Sequence, residues 1–243
     1  MNLDRIAVVL SHPSHPGNVG SAARAMKTMG FADLRLVDAP RLDEEARALA
    51  AGGADVLEGA SRHPSLVSAL ANCVLAVGFT ARARGLSHEA ADVREMSPTI
   101  LDAAEQGSVA LVFGNETSGL SNEELGHCQR IAVIPSNPAY PSLNLAAAVQ
   151  IACYEVATAA GAHGSATAAS DDHVRATIED LEALFAHFEQ SMQASGYLDP
   201  RRPGRLMERL RRLLARARPE RSEVKALRGM LEAFEKKMRR SQG

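Results

Sequence analysis

The chain has 243 residues, 46% hydrophobic and 23% charged, which is ordinary for a globular protein with one large core, or one core and a small appendage. No apolar run approaches the roughly 20 residues of a membrane span and the N-terminus lacks a secretory pattern; the three cysteines (Cys73, Cys128, Cys153) are widely spaced in apolar contexts, so no membrane, disulfide framework or metal site is expected, and a reducing cytoplasm is. The absence of Trp and a content of 4% aromatic residues argue against base stacking as the main way of holding nucleic acid, and a net charge of −2 does not by itself point to such a partner.

In chain order, residues 6–10, 34–37, 73–77, 109–113 and 131–134 are short runs rich in Val, Ile and Leu, the pattern of strands buried on both faces. Helical patterns fall between them at about 19–30, 44–51, 66–71 and 98–106, and a fifth follows at 142–159. This alternation predicts an α/β domain with a mostly parallel sheet over residues 1–158. Residues 159–172 are mainly Ala, Gly, Ser and Thr and read as a linker. Residues 173–243 predict a small all-α extension, because Val174, Ile178, Leu181, Phe185, Phe188 and Met192, and later Val224, Leu227, Leu231, Phe234 and Met238, recur at spacings of three and four. Charge divides along the same line. Up to Asp172 there are 11 Lys and Arg against 19 Asp and Glu; from His173 onward there are 16 against 10.

Three segments depart from ordinary connecting sequence. The first is His15-Pro16-Gly17-Asn18-Val19-Gly20-Ser21-Ala22-Ala23-Arg24-Ala25, after the first strand. Its helix carries an apolar stripe of Val19, Ala22, Ala23, Met26 and Met29, and Arg24 falls opposite, facing solvent, a groove or a partner. Gly17 and Gly20 lack the spacing of a dinucleotide loop, and His12 and His15 lack a third ligand for a metal. The second segment, Gly114-Asn115-Glu116-Thr117-Ser118-Gly119-Leu120, ends a buried strand, and its glycines allow a ligand close to the backbone. The third, Ile134-Pro135-Ser136-Asn137-Pro138-Ala139-Tyr140-Pro141-Ser142-Leu143-Asn144, is stiffened by three prolines and leads into a nearly all-apolar helix that Ser142 or Asn144 can cap. A helix apolar on most faces needs cover beyond one sheet. A second subunit is the simplest source, and the helical tail is the other.

Two further features bear on partners. The strand 73–77 runs into Gly78-Phe79-Thr80-Ala81-Arg82-Ala83-Arg84, small residues followed by a pair of arginines. In the tail, Arg205, Arg209, Arg212 and Arg216 fall within about 60° on a helical wheel, beside an apolar face of Leu206, Leu210, Leu213 and Leu214. Such a row suits a phosphate backbone and equally suits a solvated face.

Taken in this order, the three segments resemble the motifs of the SPOUT RNA 2′-O-methyltransferases, and Gly196-Tyr197-Leu198-Asp199-Pro200 and the Arg-rich helix extend the resemblance into the tail. The resemblance implies a parallel sheet with a C-terminal trefoil knot, a homodimer, and S-adenosyl-L-methionine as cofactor. It implies a tRNA substrate, methylated at a cytidine or uridine ribose at position 32 of the anticodon loop. The alternatives are another tRNA position or ribosomal RNA, and, in a different class, an inactive RNA-binding protein. By the same resemblance, Arg24, Asn18, Ser142, Asn144 and Glu116 are catalytic positions. Phe79, Thr80, Ala81, Gly114, Ile134, Pro141, Ser142 and Leu143 hold the cofactor, and Arg82 and Arg84 join the tail row in facing RNA. The family mechanism casts Arg24 as the base; a guanidinium is hard to deprotonate, so a phosphate clamp is the physically easier role.

Overall fold

The computed structural model describes residues 2–81, 90–162, 174–199, 201 and 205–241. Arg82 and Arg84 lie outside the described residues. The chain divides into two compact units, 1–168 and 169–243.

Among the described residues the first unit is built on seven strands: β1 (Ile6–Ser11), β2 (Asp33–Val37), β3 (Ser61–His63), β4 (Cys73–Phe79), β5 (Ala90–Asp92), β6 (Ser108–Phe113) and β7 (Arg130–Val133). Their order is β3-β2-β1-β6-β4-β7-β5, and every pairing is parallel. Ile6, Val8 and Leu10 enter the main core from one face of β1, while Ala7 and Val9 are equally buried on the other. The two strands that the apolar pattern did not predict, β3 and β5, are three-residue edge strands. Edge strands need not be apolar, so hydrophobic runs do not reveal them.

The helices of this unit are α1 (Pro16–Thr28), α2 (Glu44–Ala50), α3 (Ala54–Glu58), α4 (Leu66–Leu70), α5 (Val93–Gln106), α6 (Asn122–Gly126) and α7 (Leu145–Ala162). Helix α1 starts three residues before the expected Val19, because Pro16 occupies its first turn, where a missing N–H costs nothing. Helix α5 starts at Val93 rather than 98. Asp92 caps it, and buried Val93, Met96 and Ile100 hold one continuous stripe through Pro98. Gly20 lies within α1 where a Cβ would come 2.0 Å from the Ala46 carbonyl oxygen, so this glycine serves the close packing of α1 on α2. Helix α7 packs on α1 and α5 and buries Leu145, Val149, Ala152, Cys153, Val156 and Ala160. Most of its apolar surface is therefore covered within its own unit. Ala147, Tyr154 and Thr158 remain as an exposed strip. All three cysteines are free and buried; burial pushes the Cys128 and Cys153 thiols up to about 12 and makes them unreactive.

The second unit holds α8 (Ile178–Ala194), α9 (Leu206–Ala217) and α10 (Arg221–Ser241). Hydrogen bonds from Ala176 N to Pro219 O (3.0 Å) and from Arg221 N to Val174 O (2.9 Å) tie the starts of α8 and α10 together. Leu181, Leu184, Phe185, Leu214 and Val224 form its core. Arg211 covers the Phe185 ring at 4.4 Å and pairs with Glu182. Three of the residues expected on apolar stripes or faces are exposed instead. Val174 precedes α8 and is exposed, Leu213 is 51% exposed, and Phe234 is 58% exposed. Position 235 takes the inward place of Phe234: Glu235 accepts a hydrogen bond from Ser191 Oγ (2.5 Å) and lies 3.3 Å from His187 Nε2. A polar residue at a core-facing position is invisible to an apolar periodicity. Among the described residues, no helix is long and apolar enough to cross a membrane.

Candidate active site

The three unusual segments meet at the carboxyl edge of the sheet, where open α/β folds bind ligands. Strand β6 ends at Phe113, and the chain then folds back on itself. A Cβ on Gly114 would stand 2.3 Å from the Gly119–Leu120 backbone, and Gly119 has φ +70°, so both positions require glycine. Asn115 holds this loop from inside: its side-chain oxygen accepts from Thr117 N (2.9 Å), and its carbonyl accepts from Gly119 N (2.8 Å). Its amide donates to His12 O (2.8 Å) and Ser14 Oγ (2.6 Å), which anchors the loop after β1.

Glu116 completes the tie. It accepts from Ser14 N (2.8 Å), His15 N (3.3 Å) and Asn18 Nδ2 (2.8 Å). A carboxylate only accepts, so Asn18 must turn its amide N–H to Glu116, leaving its carbonyl to accept from Asn144 Nδ2 (3.1 Å). Asn144 Oδ1 in turn accepts from Ala146 N (2.9 Å) and caps α7, which begins at Leu145 rather than 142. One string, Glu116–Asn18–Asn144, thus joins all three segments. Partial burial alone would raise the Glu116 pKa. The bonds from Asn18, Ser14 and His15 outweigh it and hold the carboxyl below its ordinary range.

Beside this string is a cavity of about 390 Å³. Phe79 and Phe113 stack in its wall at 4.5 Å, with Leu125 and Leu145. Thr80, Ala81, Gly114 and Ile134 line it, as do Pro141, Ser142 and Leu143 at the end of the proline-stiffened loop. Among the catalytic candidates, Glu116 and Ser142 reach the cavity, while Asn18 and Asn144 connect to it through the string. Arg24 is exposed on α1, outside the cavity lining, and bonds no described residue. In the second unit, Arg205, Arg209 and Arg216 are exposed. Arg212 is half-buried, and its Nε is buried without a partner among the described residues. No group of three or more His, Cys, Asp or Glu among the described residues is placed to hold a metal ion. Sequence reasoning did not single out Asn115 or Leu125; a strand end followed by Gly-Asn was the available sign of a side-chain-braced turn for the first, whereas the second lies on short α6, which no periodicity revealed.

Residues 5–154 match the SpoU rRNA Methylase family, the class of α/β RNA methylases to which this sheet and its edge site correspond. Residues 179–243 match the C-terminal domain of the tRNA methyltransferase TrmJ. The tRNA (cytidine/uridine-2′-O-)-methyltransferase TrmJ of Photorhabdus laumondii is 45% identical over 236 residues, covering 96% of this chain and 98% of that protein. The crystal structure of TrmJ from Z. mobilis ZM4 aligns with a TM-score of 0.82 at 30% identity, over 95% of this chain and 98% of that one. A probable methylase family protein from Haemophilus influenzae aligns at 38% identity and a TM-score of 0.65, over 98% and 99%. The chain belongs to the TrmJ family of SPOUT RNA 2′-O-methyltransferases.

Proposed function

We propose that this chain transfers a methyl group from S-adenosyl-L-methionine to the ribose 2′-hydroxyl of a cytidine or uridine in tRNA, at nucleotide 32 of the anticodon loop. The observation that carries this reading is the Glu116–Asn18–Asn144 string at the rim of a partly apolar cavity. The cavity fits the cofactor. Its volume lies within the roughly 300–1,000 Å³ of small-molecule sites, and the Phe79, Leu125 and Leu145 wall suits an aromatic base. The hydroxyls of Thr80 and Ser142 and the close-packed backbone at Gly114 suit its polar groups. When bound, the cofactor supplies a methyl group activated on a positively charged sulfur.

Positioning of the ribose supplies much of the rate, and Asn18, Ser142 and Asn144 are the groups that orient it. Glu116 holds Asn18 in the required orientation. Arg24, charged and without a described partner, clamps an RNA phosphate and lowers the proton affinity of the reacting hydroxyl. Residues 1–162 form the methyltransferase domain, because α7 carries it past the expected boundary at 158 to Ala162, and the linker is the remainder of 159–172. Residues 173–243 form the tRNA-binding extension, and its row Arg205, Arg209, Arg212 and Arg216 binds RNA together with Arg82 and Arg84 of the first unit. Two copies pair through the exposed strip Ala147, Tyr154 and Thr158 of α7. The proposed trefoil knot accords with β7 lying between β4 and β5, which are consecutive in the chain.

The test is incubation of the full chain with tRNA and isotope-labelled S-adenosyl-L-methionine, followed by mapping of ribose methylation. The expected result is label at nucleotide 32. Label elsewhere in tRNA, or only in ribosomal RNA, would reject the position or the substrate. RNA binding without transfer would leave the binding-protein alternative.

A further inference from the structure

We propose that Tyr140 is the platform on which the base of the methylated nucleotide stacks; the inference rests on the reading above and adds a contact to it. Tyr140 contributes to the cavity wall, yet it is 76% exposed, twice as open as Leu143 nearby at 37%. Its ring is presented by a braced arch. Tyr140 N donates to Asn137 O (2.9 Å), Ala139 N to Asn137 Oδ1 (3.0 Å), and Ser136 Oγ to Pro141 O (3.1 Å), with Pro138 and Pro141 on either side. The tyrosine hydroxyl has no partner among the described residues. The other two rings at the cavity, Phe79 and Phe113, are buried and stacked on each other inside the wall assigned to the cofactor, so neither offers an outward face to an RNA base.

The arch continues through Ser142 into Asn144, which is bonded to Asn18. A ribose whose 2′-hydroxyl reacts at this string carries its base on the adjacent carbon. The base must therefore come to rest at the mouth of the same cavity. Unpaired loop nucleotides are recognised by splaying the base onto an aromatic face, and a ring carried on an already braced backbone leaves little of the loop to order on doing so. Stacking does not read hydrogen-bonding edges. It accepts cytosine and uracil alike, and so provides a physical reason for one site to serve both pyrimidines.

The experiment uses the full chain, tRNA substrates differing only in cytidine or uridine at the methylated position, and separate measurement of S-adenosyl-L-methionine affinity by calorimetry. Tyr140→Ala is expected to lower kcat/KM for tRNA by roughly 5- to 150-fold on both substrates, with cofactor affinity nearly unchanged and Tyr140→Phe restoring most of the loss. Two results would overturn the inference alone: tRNA kinetics unchanged in Tyr140→Ala, or a loss accounted for by weakened cofactor binding, which would make the ring a wall of the cofactor site. A wild-type chain that binds the cofactor but methylates no tRNA would overturn the reading above, and this inference with it.

Discussion

The two units satisfy their polar groups in opposite ways. At the sheet edge of the first, Asn115 and Glu116 are engaged on several sides, with bonds that tie one loop to another and, at Asn115, bonds that brace its own turn. In the helical unit, His187 Nδ1 and Arg212 Nε are buried without partners among the described residues, and Leu213, Met230 and Phe234 stand in solvent around a small core. The difference follows the task proposed for each. Transfer to a single hydroxyl needs groups held close to their reacting geometry, which a saturated hydrogen-bond network provides. Gripping a phosphate backbone needs charge on long side chains and tolerates imprecision.

The comparison breaks most readily at Arg24, the one catalytic candidate outside both the hydrogen-bonded string and the cavity lining. Arg24→Ala should reduce single-turnover methylation by about 10²–10³-fold, the usual cost of losing one electrostatic group aimed at developing charge. Thermal stability and cofactor affinity should hold, because the side chain is exposed and bonds no described residue. Arg24→Lys separates the two possible roles. Lys keeps the charge and loses the planar fork, so a pure clamp retains measurable activity with an unaltered pH profile. If the side chain takes the proton, the lower pKa of Lys, ~10.4 against ~13, shifts the alkaline dependence downward. Full activity in Arg24→Ala would reduce Arg24 to an ordinary surface arginine.

A smaller loss is expected inside the network. Glu116→Ala removes the acceptor for Ser14 N, His15 N and Asn18 Nδ2 and should lower kcat/KM by roughly 10- to 100-fold, in line with bonds to a charged group that is partly exposed. The pH dependence has a definite sign. The folded Glu116 pKa is depressed, so its contribution is present above the ordinary carboxylate range and is lost only as pH falls through the depressed value. Between about pH 6 and 9 the tie does not titrate, and the rate profiles of wild type and Glu116→Gln should have the same shape there. A wild-type inflection in that window that disappears in Glu116→Gln would show that the carboxyl is not held ionised.

The central strands were legible because burial on both faces imposes unbroken runs of Val, Ile and Leu, as at Val109–Phe113 within β6. Glu116 stood out between glycines at a strand end, and Asn144 stood out after the prolines at the start of an apolar helix. Their mutual arrangement did not, because it depends on loops 98 and 126 residues apart in sequence meeting at Asn18. The apolar character of α7 was read correctly, but its cover was partly misplaced: α1 and α5 reach around it, a packing that no single periodicity encodes. In the tail, α10 chose Glu235 over Phe234 for its inner face because Ser191 and His187 supply polar partners from α8, and that pairing is non-local.

The mildest effects belong to the arginine row, and they sharpen the contrast between fixed and adaptable groups. Arg205, Arg209 and Arg216 are exposed on the side of α9 away from buried Leu214. Changing Arg205 and Arg209 together to Gln should weaken tRNA binding a few-fold, and each phosphate left without its arginine should reduce the log–log salt slope by roughly 0.7–0.9. Methyl transfer at saturating tRNA should remain near wild type, since no member of the row lines the cavity. Arg212 differs, because its buried Nε already lacks a partner. Arg212→Gln removes that unsatisfied donor, so it should cost little stability while lowering the slope only if the terminal N–H groups reach RNA. Salt titrations of binding for the double variant and for Arg212→Gln decide the matter. Unchanged slopes in both would make the row a solvated helix face and assign the tRNA grip to other cations of the second unit.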